Sequence, residues 1–309
     1  MRAVLVREPG GPEVLELTEV ERPEPAATEV LVRVRAAGVN PVDWKVRASG
    51  DLRGARATAV GWDVAGVVEA VAPGVTWLRV GDEVLGMPYF PHTATAYADY
   101  VTAPARHLVR KPAGLDFFQA AGLPLAGLTA WQALVDTADV QPGQRVLVHA
   151  AAGGVGHLAV QIAKARGAYV LGTASAGKHE FLRSLGVDEP VDYTAGPFEE
   201  AVSKVDVVVD ALGPETSLRS LELLGAGGYL VSVLWGVDEQ VAAEAERRGV
   251  RADNVMVEPD HLGLGELAAL VDAGRLTVHV DKVFPLAEAG AAHAYGEAGR
   301  TSGKIVLAV

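Results

Sequence analysis

The 309-residue chain contains no cysteine. Disulfides, thiolate nucleophiles and every cysteine-ligated zinc site are thereby excluded. It also lacks long hydrophobic runs. Charges break every apolar stretch well short of the ~18 residues needed to span a bilayer, although 50% of the residues are hydrophobic. Positive charge is in deficit, with 27 Lys and Arg against 39 Asp and Glu, for a formal net charge of −12. No basic cluster overrides this balance, which argues against a general affinity for nucleic acid. An anionic ligand must then be held by local donors rather than by an overall field. There is no G-x-S-x-G turn to support a Ser–His–Asp hydrolase. None of the 8 histidines falls in a metal-binding pattern. The opening segment Met1–Arg7 is a short apolar strand flanked by arginine, too short for a signal-peptide core. A soluble, cytoplasmic protein is expected.

What is present begins with Val146–Val148, an apolar run with β-branched residues that reads as a buried strand. A glycine-rich turn follows, Ala151-Ala152-Gly153-Gly154-Val155-Gly156, and then Leu158, Ile162 and Ala165 at helical spacing. Strand, glycine turn and helix make the first unit of a dinucleotide-binding sheet. Gly153 lets the backbone approach a pyrophosphate, and Gly156 lets the helix pack closely on the strand. A helix starting near Gly154 turns its N-terminus toward the anion. Ala151 stands where the usual first glycine would be, so the fingerprint is A-x-G-x-x-G.

The rest of the chain falls into two rhythms. Residues 1–112 read as β-rich, with Val30–Arg35 alternating, Gly66–Val71 compact and apolar, and turn signals at Glu8–Pro12, Ala72–Gly74 and Val80–Asp82. From 113 to 273, strands alternate with helical segments, which predicts right-handed crossovers and a doubly wound parallel sheet. The candidate strands are Arg145–His149, Tyr169–Thr173, Val205–Asp210, Tyr229–Val233 and Asn254–Val257. Residues 274–309 return to short strands, Thr277–Phe284 and Lys304–Val309, around a helical Leu286–Ala298. An α/β protein is expected, with a cofactor domain inserted into a β-rich one. Its ligand would bind at the C-terminal ends of the parallel strands.

Several further motifs stand in order along the chain: Ala37–Asp43, Gly61–Val68, Val80–Val84, Ala96–Tyr100, Leu128–Trp131, Val209–Gly213 and Ser302–Val306. With the glycine loop, these make the chain resemble the medium-chain dehydrogenase/reductase superfamily, and within it the zinc-free, NADPH-dependent quinone oxidoreductases. The resemblance implies a GroES-like catalytic domain, a Rossmann cofactor domain, NADPH as cofactor and a small carbonyl or quinone substrate. It also implies a homodimer formed through a cofactor-domain edge strand, for which Tyr229–Trp235 is the apolar candidate. Zinc-dependent members use cysteine in the first motif and a histidine–glutamate pair in the second. Here those positions hold Asn40, Trp62 and Asp63, so no metal is expected. Hydride delivery to a carbon conjugated with a carbonyl fits better.

Cofactor choice turns on the end of the second cofactor-domain strand. An acid about 20 residues past the glycine loop grips the ribose hydroxyls in NAD enzymes. This chain has Thr173, Ala174 and Ser175 there, with Lys178 following. Without a carboxylate a 2′-phosphate meets no repulsion, and Lys178 and Ser175 offer a charge and a donor. The resemblance adds Tyr193 as a phosphate contact, and Thr129, Leu212 and Lys304 as further cofactor contacts. The alternatives are a solvated helix lysine and a tyrosine packed at a strand end.

Asn40 offers both donor and acceptor groups for the nicotinamide ribose or a substrate carbonyl, or else is an ordinary turn residue before Pro41. Asp43 shares its turn. Trp62 fills space left by metal ligands or walls a planar substrate, and Tyr89 in Tyr89–His92 is a second aromatic candidate. Relatives often carry a tyrosine in the segment matching Arg47–Arg53; this chain has none there, so water is the expected proton source. His149 follows the first cofactor-domain strand and could approach the cofactor, although the neighbouring backbone is the expected contact, whereas His157 reads as structural. The competing reading is a nucleotide-binding sensor or structural protein that kept the fold and lost the reaction.

Overall fold

A computed structural model describes residues 1–52 and 54–309; Arg53, in the segment read for a tyrosine, lies outside the described residues. The chain divides by compactness into two units. One comprises Met1–Leu128, Glu258–Gly274 and Val278–Val309, the other Thr129–Val257 and Arg275–Thr277. By this division 113–128 and the helix His261–Asp272 belong with the β-rich unit.

The β-rich unit is built on a seven-stranded sheet. Its main path runs Val280–Pro285, Lys304–Ala308, Glu29–Val39, Asp63–Val71, Glu83–Gly86 and Leu108–Arg110, and Tyr100–Pro104 also pairs with Glu29–Val39. The alternation at Val30–Arg35 sends Val30, Val32 and Val34 into a core shared with Val64, Val68, Val84 and Leu108. Glu29–Val39 is the longest strand of this sheet and carries the site at its far end. There Gly38 pairs with Asp63 across the ladder. A Cβ on Gly38 would lie 2.9 Å from an Asp63 carboxylate oxygen and 2.3 Å from the Ala121 carbonyl. Glycine is therefore what makes room for a buried acid on the neighbouring strand.

The second unit is a six-stranded parallel sheet in the order Glu189–Asp192, Tyr169–Ala174, Arg145–Val148, Val205–Asp210, Leu224–Ser232, Arg251–Asn254. This is the 3-2-1-4-5-6 order of a dinucleotide-binding fold, and it reverses between Arg145–Val148 and Val205–Asp210. Their central residues, Val146–Val148 and Val207–Val209, read as continuous apolar runs because helices cover the two faces of a parallel sheet. Leu147, Val208 and Leu230 are wholly buried in its core.

Three sequence expectations need correction here. Glu189–Asp192 forms an edge strand that its proline and two acids concealed; edges tolerate both. The last strand is Arg251–Asn254, in register with Tyr229–Ser232, rather than Asn254–Val257. As an outer strand with exposed residues it has little apolar signal, and the buried Val255 and Val257 just beyond it drew the reading forward. Tyr229–Trp235 is not an edge: the strand Leu224–Ser232 has a neighbour on each side, and Arg251–Asn254 takes the outer place. Among the described residues no helix is long and apolar enough to cross a membrane.

Candidate active site

In the β-rich unit the strand Glu29–Val39 ends directly at a helix, Pro41–Ser49, with Asn40 as its N-cap in extended conformation and Pro41 in the first turn. The segment expected as a turn is therefore a helix start. Asp43 reaches back from the first turn to accept the Asn40 backbone N–H at 2.6 Å, and its other oxygen accepts the Gly61 N–H at 2.9 Å. It thus ties the first motif to the second.

The Asn40 side chain lies between two charges. Its Nδ2 donates to Asp63 Oδ2 at 2.9 Å, and its Oδ1 accepts from the Lys304 ammonium. Lys304 Nζ is 3.7 Å from Asp63 Oδ2, and the second Asp63 oxygen accepts the Leu125 N–H at 2.7 Å. Asn40, Asp43, Asp63 and Lys304 are all buried. Burial pulls Lys304 below the ordinary lysine range and pushes Asp63 above the ordinary carboxylate range, and each charge offsets the other's loss of hydration. The pair leaves no choice about the amide orientation: its oxygen faces the cation and its nitrogen the anion.

The other candidates of this unit lie differently. Trp62 has no exposed surface; its Nε1 donates to the His92 carbonyl at 2.8 Å and its ring meets Phe90 edge-on at 5.5 Å. The space-filling reading thus describes its surroundings. Tyr89 points elsewhere, its hydroxyl donating to Glu29 at 2.5 Å and standing 3.4 Å from Thr102.

In the parallel-sheet unit the glycine loop leaves Arg145–Val148 at the point where the strand order reverses. Ala151 N–H bonds the Thr173 carbonyl, Gly153 N–H bonds the Ala150 carbonyl, and the helix runs Gly156–Ala165. It starts two residues later than expected because Gly153 is still closing a turn. No side chain caps it. The backbone N–H groups of Ala152, Gly154, Val155 and Gly156 make no hydrogen bond among the described residues. Such a set of unpaired donors at the positive end of a helix is an anion site. A Cβ on Gly156 would fall 2.2 Å from the Ala150 carbonyl oxygen, whereas one on Gly153 would lie at 3.1 Å. Gly156 is thus required by packing and Gly153 only by closeness of approach.

Beside this loop, Asp210 accepts from the Leu212 N–H at 2.9 Å, the Gly213 N–H at 3.2 Å and the Ser217 hydroxyl at 2.5 Å. Asp210 so shapes the turn after Val205–Asp210, where Gly213 takes φ 121° and Leu212 is left exposed. A cavity of about 240 Å³ opens beyond it, lined by Gly213, Ser217, Ser232, Leu234, Trp235 and Gly236 among others. The sequence reading missed Ser232 and Trp235 as site residues; the wall they form follows from strand order, which no local motif states. Thr173 spends its hydroxyl locally, accepting the Ala150 N–H at 3.2 Å and standing 3.2 Å from His149 Nδ1. Ser175 and Lys178 follow the end of Tyr169–Ala174 and Tyr193 follows the end of the neighbouring edge strand Glu189–Asp192, with Tyr193 exposed. Thr129 lies in the helix Pro124–Trp131 and is buried.

His149 is buried against Phe198, its Nε2 2.8 Å from Ser220 Oγ, and burial lowers it to about 4. It is a neutral packing residue. His157 is buried as well, with Nδ1 2.9 Å from the Gly153 carbonyl, where it braces the loop from behind.

Comparison with known proteins gives two family matches, "Alcohol dehydrogenase GroES-like domain" over residues 26–113 and "Zinc-binding dehydrogenase" over 185–307. A 2-haloacrylate reductase from a Burkholderia species is 36% identical, the match covering 99% of this chain and 98% of that protein. A quinone oxidoreductase from Pseudomonas aeruginosa is also 36% identical, with 96% of each covered. Among solved structures, the quinone oxidoreductase of Coxiella burnetii superposes with a TM-score of 0.94 at 36% identity, covering 100% of this chain and 99% of that one. The Escherichia coli quinone oxidoreductase complexed with NADPH gives 0.88 at 30% identity with both chains fully covered, at 100% each. A pikromycin polyketide synthase component from Streptomyces venezuelae is 39% identical over 94% of this chain, which spans only 8% of that protein.

The zinc in the second family description can be tested against the donors present. Asp63 is already engaged by Asn40, Leu125 and a lysine ammonium, and a divalent cation there would be placed against Lys304. Asn40 and Trp62 offer neither thiolate nor imidazole. Among the described residues no group of three His, Cys, Asp or Glu is placed to hold a metal. These residues do not fit zinc.

Proposed function

Because this chain belongs to the medium-chain dehydrogenase/reductase superfamily, we propose that it is an NADPH-dependent, zinc-independent oxidoreductase. Its acceptor is a quinone or a carbon–carbon double bond conjugated to a carbonyl. The observation that carries the reading is the uncapped start of Gly156–Ala165, whose free amides fit a dinucleotide pyrophosphate. NADPH, when bound, supplies the hydride.

The chain's own residues bind and orient. The amides of Ala152 and of Gly154–Gly156 hold the pyrophosphate. Ser175, Lys178 and Tyr193 receive the 2′-phosphate where no carboxylate opposes it. Leu212, Thr129 and the wall at Ser232 and Trp235 border the nicotinamide half. Asn40 keeps one Nδ2–H beyond the one given to Asp63, and this donor meets the carbonyl oxygen as negative charge develops there. Lys304 acts by fixing the amide rather than by gripping the cofactor. The product takes its proton from water.

The names of the relatives support this acceptor class: they act on quinones, 2-haloacrylate and, in an Arabidopsis thaliana protein 35% identical to this chain, an alkenal or alkenone with NADPH. The test is NADPH oxidation against a panel of quinones, enals and enones. Turnover on at least one class, with NADPH preferred to NADH, is expected; tight NADPH binding with no turnover on any acceptor would replace the reading by that of a silent nucleotide-binding protein. A homodimer is part of the proposal, paired through the outer edge Arg251–Asn254. A monomer in sedimentation equilibrium at assay concentration would remove it.

A further inference from the structure

Ala150, which leads into the glycine loop, has φ 48°, a left-handed backbone that a side chain disfavours. Its carbonyl accepts the Gly153 N–H at 2.8 Å, and it is the oxygen that a Cβ on Gly156 would strike at 2.2 Å. Both the turn and the helix start therefore rest on the direction in which Ala150 points this group. Two consecutive amides tie the segment to one residue of the neighbouring strand. Ala150 N–H donates to Thr173 Oγ1 at 3.2 Å, and Ala151 N–H donates to the Thr173 carbonyl at 3.0 Å. Thr173 is buried, and the proposed reaction gives its hydroxyl no task.

The direction of that hydroxyl follows from the far end of a hydrogen-bond chain. Ser220 has one hydrogen and gives it to the Thr216 carbonyl at 2.7 Å, within the helix Pro214–Leu221. Toward His149 Nε2, at 2.8 Å, its oxygen must then accept, so the ring carries a proton on Nε2. Burial lowers His149 to about 4, which leaves the ring neutral and Nδ1 bare. Asp210 and Arg219 are the charged groups that act on it, the first raising its proton affinity and the second lowering it. Nδ1 thus accepts the Thr173 O–H at 3.2 Å. With its hydrogen turned to His149, the Thr173 oxygen offers its lone pairs to Ala150. The donors run in one sense, from Ala150 through Thr173, His149 and Ser220 to the Thr216 carbonyl. No member can be reversed without leaving a buried donor or acceptor unpaired.

We propose that Thr173 is a positioning residue, oriented by His149 and Ser220, that holds Ala150 in its left-handed conformation and thereby sets the loop amides for a pyrophosphate. The proposal rests on the functional reading above for its ligand, but the hydrogen-bond chain stands without it.

The experiment uses the full-length protein in wild type, Thr173→Val and Thr173→Ser. Thr173→Val keeps the branched shape and the carbonyl that holds Ala151, and removes only the hydroxyl. Amide exchange at Ala150 is expected to quicken about tenfold in this variant, the loss of one hydrogen bond, with Ala151 unchanged. Calorimetric titration should show NADPH bound about tenfold more weakly. Adenosine 2′-monophosphate, which carries the 2′-phosphate and no pyrophosphate, should bind as in the wild type. Thr173→Ser restores the hydroxyl and should restore both the exchange rate and the NADPH affinity. In the ring-15N spectrum of the wild type, with His149 assigned by His149→Asn, the proton is expected on Nε2. Unchanged NADPH affinity in Thr173→Val, or equal weakening of NADPH and adenosine 2′-monophosphate, overturns the proposal. A ring proton on Nδ1, or exchange at Ala150 that does not respond to the hydroxyl, overturns it as well. Absence of NADPH binding in the wild type sinks the functional reading alone, since exchange at Ala150 and the ring spectrum still decide the chain.

Discussion

Lys304 and Asp63 form a wholly buried ion pair, 3.7 Å apart, with the amide of Asn40 bonded to both. Removing one charge strands the other in the core, where the loss is large; removing both leaves a nearly neutral exchange. Lys304→Met is expected to cost about 3–5 kcal/mol in urea unfolding. Lys304→Met with Asp63→Asn should regain most of it. A double variant no more stable than the single one would show that the pair is not the source of the cost.

The two glycines of the loop are expected to separate packing from binding. Gly156→Ala places a methyl group 2.2 Å from the Ala150 carbonyl oxygen, a contact that backbone must move to relieve. It should lower stability by several kcal/mol, on the order of ~3, as overpacking does. Gly153→Ala meets the same oxygen at 3.1 Å, and should fold with little loss while weakening NADPH binding. Gly153→Val should abolish binding in a protein whose circular-dichroism spectrum is intact. Calorimetric titration showing normal NADPH affinity in that variant would remove the loop from the cofactor site.

Cofactor choice is expected to rest on charge at the ends of Tyr169–Ala174 and Glu189–Asp192. Lys178→Ala combined with Tyr193→Phe should weaken NADPH about tenfold or more and leave NADH nearly unchanged, because charged hydrogen bonds are worth ~1.5–3 kcal/mol. Equal weakening of both cofactors would assign these residues to the fold.

His149 makes stability depend on pH. It titrates at about 4 in the fold and near its ordinary 6.5 in the open chain. Between these values the unfolded state takes up a proton that the folded state refuses, so stability falls as pH drops from 6.5 to 4. The full effect is on the order of ~3 kcal/mol. His293, lowered to about 3, adds to it in the same direction. Asp43, raised to about 7, works in the opposite sense, since its folded form holds the proton more tightly. Chemical unfolding of His149→Asn and wild type from pH 4 to 7 isolates the first contribution. The variant's curve should be flatter by about 1.4 kcal/mol per pH unit across that window, and parallel curves would contradict the buried, neutral assignment.

Metal independence follows from the donor set. Exhaustive chelation should leave turnover unchanged, and chelator-sensitive activity with one zinc per chain would overturn it.

The dinucleotide-binding sheet was legible because its inner strands carry their own signature. Val146–Val148 and Val207–Val209 are apolar runs, and the strands Arg145–Val148 and Val205–Asp210 that hold them stand in the fold where the pattern placed them. The outer strands were not legible. Glu189–Asp192 and Arg251–Asn254 owe their pairing to a neighbour's backbone, and backbone hydrogen bonds leave no trace in side-chain hydropathy. At the candidate site, the Ala37–Asp43 motif pointed to Asn40, whereas the Gly61–Val68 motif offered Asp63 only as a former metal-ligand position. What escaped was the company they keep. Lys304 is 264 residues from Asn40 and His293 is 246 from Arg47, and each pair meets only because the C-terminal segment returns to the β-rich sheet. Spacing rules reach along a helix or a turn, and a contact closed by the last strand lies beyond them.

The loop's departure from the glycine fingerprint has an answer one strand away. Ala151 fits because the facing position on Tyr169–Ala174 is Gly172, where a Cβ would come within 2.8 Å of the Ala151 methyl. The space for one methyl group is shared between two positions 21 residues apart, and either may hold it but not both. Change at these sites is therefore coupled: Gly172→Ala alone is blocked, while Ala151→Gly opens the way to it. A fingerprint scored on the loop alone counts Ala151 as a defect. Scored on the pair, the volume is conserved, and the loop meets the same steric condition from the opposite wall.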